Sequence, residues 1–149
     1  MNQSMNKAVR LTPLKDYAGK VENDAARRMA ACAQALSAKE KEVEQVRGYL
    51  AEYRRRAELA DAATDPMRWQ NTRTFLAKLS ELVAARETEL ARALELYRLE
   101  TERWRDSHVR AKSLHKLVAN ATREVRVETA KREQRELDER ALLQVLERG

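Results

Sequence analysis

Residues 14–60 read LKDYAGKVENDAARRMAACAQALSAKEKEVEQVRGYLAEYRRRAELA, and the fold turns on where the apolar side chains fall in that stretch. They stand at Leu14, Ala18, Val21, Ala25, Met29, Cys32, Leu36, Val43, Val46, Leu50, Tyr53, Ala57 and Ala60, with Lys39 filling the one gap. The steps alternate four and three, apart from one additional step of four at Met29. A repeat averaging about 3.5 residues keeps a narrow stripe facing a partner helix along a left-handed supercoil. A helix built this way needs a second helix to cover its stripe.

The second helix follows in the same chain. Trp69, Leu76, Leu79, Val83, Leu90, Ala93, Tyr97, Trp104, Ala111, Leu114, Val118, Ala121 and Val125 continue the pattern, weakened at Thr72, Arg86 and Glu100. Proline is tolerated at the first position of a helix and damaging inside one, so the two prolines mark helix starts. Each follows a good N-cap: Thr12-Pro13 opens helix 1 and Asp65-Pro66 opens helix 2. With only the residues from Asp61 to Asp65 between the two patterns, the chain folds back on itself. The expected architecture is all-α: an elongated antiparallel two-helix coiled-coil hairpin whose second helix is the longer. Residues 1–12 form a flexible N-terminal segment, and 13–147 a single hairpin with helix 1 at about 13–60, a turn at about 61–66 and helix 2 at about 67–147.

That mismatch in length has a consequence. Helix 1 would be ~70 Å long and helix 2 ~120 Å at 1.5 Å per residue. Helix 1 then runs out near Arg110 to Leu114 and leaves more than thirty residues of helix 2 uncovered. Between Arg123 and Arg140, twelve of eighteen residues are charged, six of each sign, as suits a solvated helix with many intrahelical pairs. The stretch from Ala141 to Leu146 is apolar again.

Composition agrees. Of 149 residues, 36% are charged and 5% aromatic, with only three glycines and two prolines and a mean hydropathy of -0.76. Ala, Leu, Glu, Arg and Lys dominate, and all are strong helix formers. The net charge of +6 invites a nucleic-acid reading, but the thirty basic and twenty-four acidic residues are interspersed, so most positive charges have an acidic neighbour one helical turn away. No nucleic-acid partner is expected. One cysteine makes no internal disulfide, residues 1–11 lack a signal-peptide core, and no apolar run reaches the ~20 residues a bilayer span needs. The reading is a cytoplasmic protein that meets the membrane only through partners.

Catalytic chemistry has no footing here. There is no Gly-rich phosphate loop and no hydrolase or metalloprotease motif. His108 and His115 lie seven residues apart with no Cys, Asp or Glu at ligand spacing, so no metal is expected. Cys32 sits on the stripe and packs like alanine. The protein is read as a non-enzyme without cofactors. Gly48, inside helix 1, costs about 1 kcal/mol relative to alanine and reads as a tolerated surface position. Tyr49, Tyr53, Trp69 and Phe75 gather at the turn end, four of the chain's seven aromatic residues. There Tyr53 closes the core, while Tyr49 and Phe75 are candidates for a binding hot spot, beside Arg54, Arg55 and Arg56.

Taken in order, Leu14-Lys15-Asp16, Asp24-Ala25-Ala26-Arg27, Tyr49, Glu52-Tyr53-Arg54, a short loop, Trp69, Asn71, Phe75 and Trp104-Arg105 resemble the FliJ family of flagellar export proteins over nearly the whole chain. The resemblance implies an antiparallel two-helix coiled coil, similar to the γ subunit of rotary ATP synthases, that serves as a non-catalytic stalk in the flagellar type III export apparatus. It implies that the end carrying both termini inserts into the export ATPase hexamer, for which Leu11, Leu14, Leu142, Leu143 and Leu146 are the candidates. The turn end would bind the cytoplasmic part of the membrane-embedded export gate protein. The family's gate-binding positions correspond to Glu42, Val46, Tyr49, Tyr53, Phe75, Leu79, Leu82 and Arg86; Leu82 and Arg86 stand where the family pattern has a smaller residue and a histidine. Export chaperones are further implied partners, and the implied location is the cytoplasm, peripheral at the inner face of the cell membrane. The competing readings are the equivalent stalk of a virulence type III system, a self-associating structural coiled coil, and a nucleic-acid binder.

Overall fold

The computed structural model describes residues 2–59 and 65–149, with side chains from Gln3 onward. It contains two helices, α1 (Asn2–Leu59) and α2 (Pro66–Arg148), which pack against each other, and no strand among the described residues. The all-α hairpin with the longer second helix is what the stripe predicts. Ala60 and the turn positions 61–64 lie outside the described residues.

Helix α2 starts as expected. The Asp65 carboxylate Oδ1 accepts from the Arg68 backbone N–H at 3.2 Å and the Asp65 carbonyl from that of Trp69 at 3.1 Å, which leaves Pro66 at the first helical position, where its missing N–H costs nothing. Helix α1 does not start at Pro13. It begins at Asn2 and runs through the proline, and Thr12 does not cap: its hydroxyl donates to the Ala8 carbonyl at 2.7 Å, one turn back within the helix. Pro13 faces solvent, so the Val9 carbonyl that loses its N–H partner lies on the wet side. Tertiary contacts on both sides of the proline, at Ser4 and Ala18, then override its local preference.

The chain divides into two compact units. Unit 2, residues 26–103, holds the aliphatic core, in which Leu50, Leu79 and Val83 are buried together with Val46 and Leu76 packed on them. Val43 is only 2% exposed. Thr72, Leu76, Leu79, Val83, Arg86, Leu90, Ala93, Tyr97 and Glu100 are all shielded here, an unbroken alternation of four and three, with Ser80, Glu89, Leu94 and Thr101 half-buried beside it. The three polar residues thought to weaken the stripe are therefore members of it. Trp69 is not shielded to the same degree: it is 40% exposed, and the shielded stripe begins one turn later at Thr72.

Unit 1, residues 1–25 with 104–149, is packed through small side chains: Ser4, Ala18, Ala25, Ser107, Ala111 and Ala121 are the buried residues. Small contacts let two helix backbones approach closely. Leu14 is exposed, and Leu11 and Lys15 take the shielded positions around it. The Ser4 hydroxyl donates to Glu128 Oε1 at 2.9 Å, with Glu124 Oε2 3.4 Å away. The eleven extra residues of α1 thus cover α2 as far as Glu124 to Glu128 rather than Arg110 to Leu114. What remains uncovered is shorter than expected: residues 130–149 are all exposed.

Candidate docking site

Each unit offers candidate surface, and the better-defined one lies in unit 2. The Tyr53 and Phe75 rings meet edge to face, with centroids 5.0 Å apart and planes at 69°, an arrangement aromatic quadrupoles favour. Lys39 Nζ lies 3.2 Å from Glu89 Oε2. These two cross-helix contacts set the register, because in an antiparallel pair each step up α1 is a step down α2. Tyr49 therefore stands level with Leu79, Val46 with Leu82 and Glu42 with Arg86. The eight positions named from the family resemblance are spaced four, three and four on each helix and form four facing levels on one side of unit 2.

They do not all present themselves to a partner. Leu79 is buried and Val46 half-buried in the aliphatic core, where they hold the surface up without offering much of it. Glu42 and Arg86 belong to a charged network at the end away from the turn: Lys39 bridges Glu42 at 3.3 Å and Glu89 at 3.2 Å, while Arg86 Nη1 donates to both Glu89 oxygens at 3.2 Å. This closes the face with satisfied charges. The hydrogen-bonded ammonium of Lys39 holds the Glu89 carboxyl below the usual carboxylate range, with Arg86 adding to the effect, and Glu89 and Glu42 in turn raise Lys39. The accessible apolar surface is Tyr49 at 47%, Phe75 at 46%, and Tyr53 and Leu82 at 39% each. Tyr53 is thus less buried than a core-closing residue.

The rim of this face is basic. Arg56 lies over the Tyr53 ring at 5.4 Å and Arg73 over Trp69 at 4.8 Å. Arg56 is also held by Glu52 at 2.7 Å. Arg54 reaches across to the Ser80 hydroxyl at 3.4 Å on the opposite side, where Arg47 pairs with Glu87 at 3.0 Å. Gln45 donates to the Tyr49 hydroxyl at 3.1 Å. Gly48 neither turns the chain nor admits a neighbour: a methyl group there would meet nothing within 4 Å, as a tolerated surface position requires.

In unit 1 the candidate residues for the terminal end do not form one patch. Leu14 lines a small apolar pocket with Tyr17, Val21, Ser107, Arg110 and Leu114, whereas Leu142, Leu143 and Leu146 are exposed on the uncovered end of α2. Leu114 and Leu142 are separated by roughly 40 Å of helix. Sequence order had grouped these residues by their nearness to the termini, and the early start of α1 separates them. His108 is drawn not to His115 but to Glu22, whose carboxylate Oε1 is 2.8 Å from Nδ1, and it stacks on Trp104 with centroids 5.0 Å apart. No group of His, Cys, Asp and Glu able to hold a metal occurs among the described residues, and none of their helices is long and apolar enough to cross a membrane.

Sequence reasoning places Lys39, Thr72, Arg86 and Glu100 on the stripe as interruptions and leaves out Ser4, Lys15, Glu22, Ser107 and Glu128; all nine occupy seam positions. The signal was available: extending the four-and-three alternation without requiring apolar residues lands on every one of them.

A search of curated proteins and a search of solved structures each found no significant match. The family comparison did: residues 6–149 match the family described as Flagellar FliJ protein. That match spans nearly the whole chain, both helices and the facing levels of unit 2 included, so this protein belongs to the FliJ family of flagellar export-related proteins.

Proposed function

We propose that this protein is the non-catalytic stalk of the bacterial flagellar type III export apparatus, and that the face of unit 2 carrying Tyr49, Tyr53, Phe75 and Leu82 docks on the cytoplasmic part of the export gate protein. The observation that carries the reading is the alignment of those four accessible side chains on adjacent levels of one face, with the Tyr53–Phe75 ring contact at its turn end. Aromatic anchors beside arginines are the composition of binding hot spots. Two rigid helices hold them without the ordering cost a loop would incur.

Unit 1 serves the other partners in this proposal. Its exposed leucines, Leu142, Leu143 and Leu146, and the Leu14 pocket are two separate contact points for the export ATPase hexamer. The solvated helix ahead of those leucines, residues 130–141, is the surface left for export chaperones. The protein then works in the cytoplasm and reaches the inner face of the membrane through the gate. Family membership favours the flagellar system over a virulence one and over a self-associating structural coiled coil.

The test is calorimetric titration of the full-length chain against the purified gate cytoplasmic domain. Tyr49→Ala with Phe75→Ala should weaken binding by 100-fold or more, on the order of two hot-spot losses, with unchanged helix content. Equal affinity of the double variant and the parent would refute the docking face.

A further inference from the structure

The aliphatic seam of unit 2 discriminates poorly between registers. Leu36, Val43, Val46 and Leu50 face a row containing Leu76, Leu79, Val83, Leu90 and Ala93, and sliding one helix by a heptad again sets aliphatic groups against aliphatic groups over most of that length. Cores accept such exchanges at modest cost when volume and pattern are kept.

The charged seam members do not tolerate it. Glu100 is 6% exposed; its Oε2 lies 3.4 Å from Arg28 Nε across the pair, and its Oε1 3.1 Å from Arg103 Nη1 on its own helix. At 3.4 Å the Arg28 contact is an ion pair rather than a good hydrogen bond, and Oε2 accepts no hydrogen bond, so this buried oxygen depends on Arg28 for its compensation while Arg103 serves Oε1. Lys39 and Glu89 make the second cross-helix pair at 3.2 Å. A shift of seven residues sets Lys39 level with Leu82 or Leu96 and Glu89 level with Cys32 or Val46. In one direction it sets Glu100 level with Ala35. Every such placement takes Glu100, a buried carboxylate, away from Arg28, which costs far more than an aliphatic exchange, and it breaks the Lys39–Glu89 contact, leaving those partly solvated groups only their intrahelical partners Glu42 and Arg86.

We infer that the Arg28–Glu100 and Lys39–Glu89 pairs select the helix register of unit 2, acting as positioning residues that decide which α2 side chain stands level with which α1 side chain. The pairs contribute specificity rather than net stability, the role best attested for polar groups in coiled-coil seams. They keep Tyr53 against Phe75, since a one-heptad slip moves those rings about 10 Å apart along the helix. The inference does not depend on what binds the aromatic face.

Pulsed electron spin resonance on the full chain tests it. Cys32→Ala removes the native thiol, labels go at the exposed positions Lys41→Cys and Glu102→Cys, and dilution with unlabelled chain suppresses intermolecular signal. The two sites are about 20 Å apart along the axis in the native register, and a slip changes that by about 10 Å. The parent should give one distance peak. Lys39→Leu with Glu100→Leu should keep its helicity and show a second peak; Glu100→Arg alone should also split the distribution, and Arg28→Glu added to it should return a single peak. Should the leucine variant aggregate, Lys39→Gln with Glu100→Gln serves the same purpose with side-chain volume retained. An unsplit native peak in a helical charge-deleted variant, or a split that the charge exchange fails to close, overturns the inference.

Discussion

Tyr53 of α1 and Phe75 of α2 meet with ring centroids 5.0 Å apart at 69°, so the contact that joins the two helices near the turn is also part of the accessible face. Structural and binding roles overlap at this pair. Tyr53→Ala and Phe75→Ala should each lower stability, through the ring contact alone by about 0.5–1.5 kcal/mol. Tyr49, 47% exposed and with its hydroxyl accepting from Gln45, should behave differently: Tyr49→Ala should change stability by no more than about 0.5 kcal/mol while weakening partner binding. Urea denaturation beside titration calorimetry separates the two, and a destabilised Tyr49→Ala would show that its ring is packed rather than presented.

Leu79 is the opposite case. It is buried with Leu50 and Val83, so Leu79→Ala leaves a cavity between the helices and should cost about 2–4 kcal/mol. Any loss of partner binding in that variant should be recovered under conditions that restore full helix content. Circular dichroism during the binding titration checks this; a fully folded Leu79→Ala that still fails to bind would make Leu79 a direct contact.

The sequence showed the stripe because most of its members are apolar, and unit 2 from Met29 to Ala57 followed it closely. It showed some polar members only as interruptions and passed over others, such as Glu22 and Ser107. Lys39 looked like a gap and Glu100 like a weakness, because burial of a charge depends on a partner that the fold supplies from the other helix, Glu89 for Lys39 and Arg28 for Glu100. The extra step of four at Met29 arose the same way, from following Val21 where the seam alternation passes through Glu22. The aromatic face was legible as a cluster of residue types. Its division into accessible Tyr49 and Phe75, buried Leu79, and charge-satisfied Glu42 and Arg86 was not, since that depends on register and on hydrogen bonds made across the pair.

The Lys39–Glu89 pair predicts a pH window. Glu89 is lowered from 4.5, chiefly by its hydrogen bond to Lys39, so its contribution is present above that value and lost as pH falls through the lowered one. Lys39 is raised from 10.5, chiefly by its hydrogen bond to Glu89, so its contribution is complete below that value and lost as pH rises through the raised one. The stability difference between the parent and Glu89→Gln should be flat between the two limits and shrink outside them. Chemical denaturation across pH measures it. The pair is largely solvated, so high salt should shrink the difference as well.

Gly48 is exposed, with nothing within 4 Å of where a Cβ would stand. Gly48→Ala should therefore raise stability by about 1 kcal/mol, the helix-propensity difference, and leave partner binding unchanged. A loss of binding on adding this single methyl would place a partner backbone against the helix at Gly48, read directly by titration calorimetry.

Pro13 gives the sharpest test of unit 1. In the interior of α1 it forgoes the hydrogen bond from its own nitrogen to the Val9 carbonyl, and its ring crowds that carbonyl; such a residue typically costs about 3 kcal/mol. The cost is tolerated here because Ser4 reaches Glu128 and Ala18 is buried beyond the proline. Pro13→Ala should therefore stabilise the first turns of α1, by about 1–3 kcal/mol, and slow amide exchange of residues 3–12 most of all, since the helix would then pass the position without a break. Ser4→Ala should act in the other direction, speeding exchange in the same segment by removing its anchor to α2. If the chain instead began its helix at Pro13 in solution, residues 3–12 would exchange at unprotected rates in the parent and neither substitution would change them, and the cover that α1 gives to Glu124 and Glu128 would have to be withdrawn.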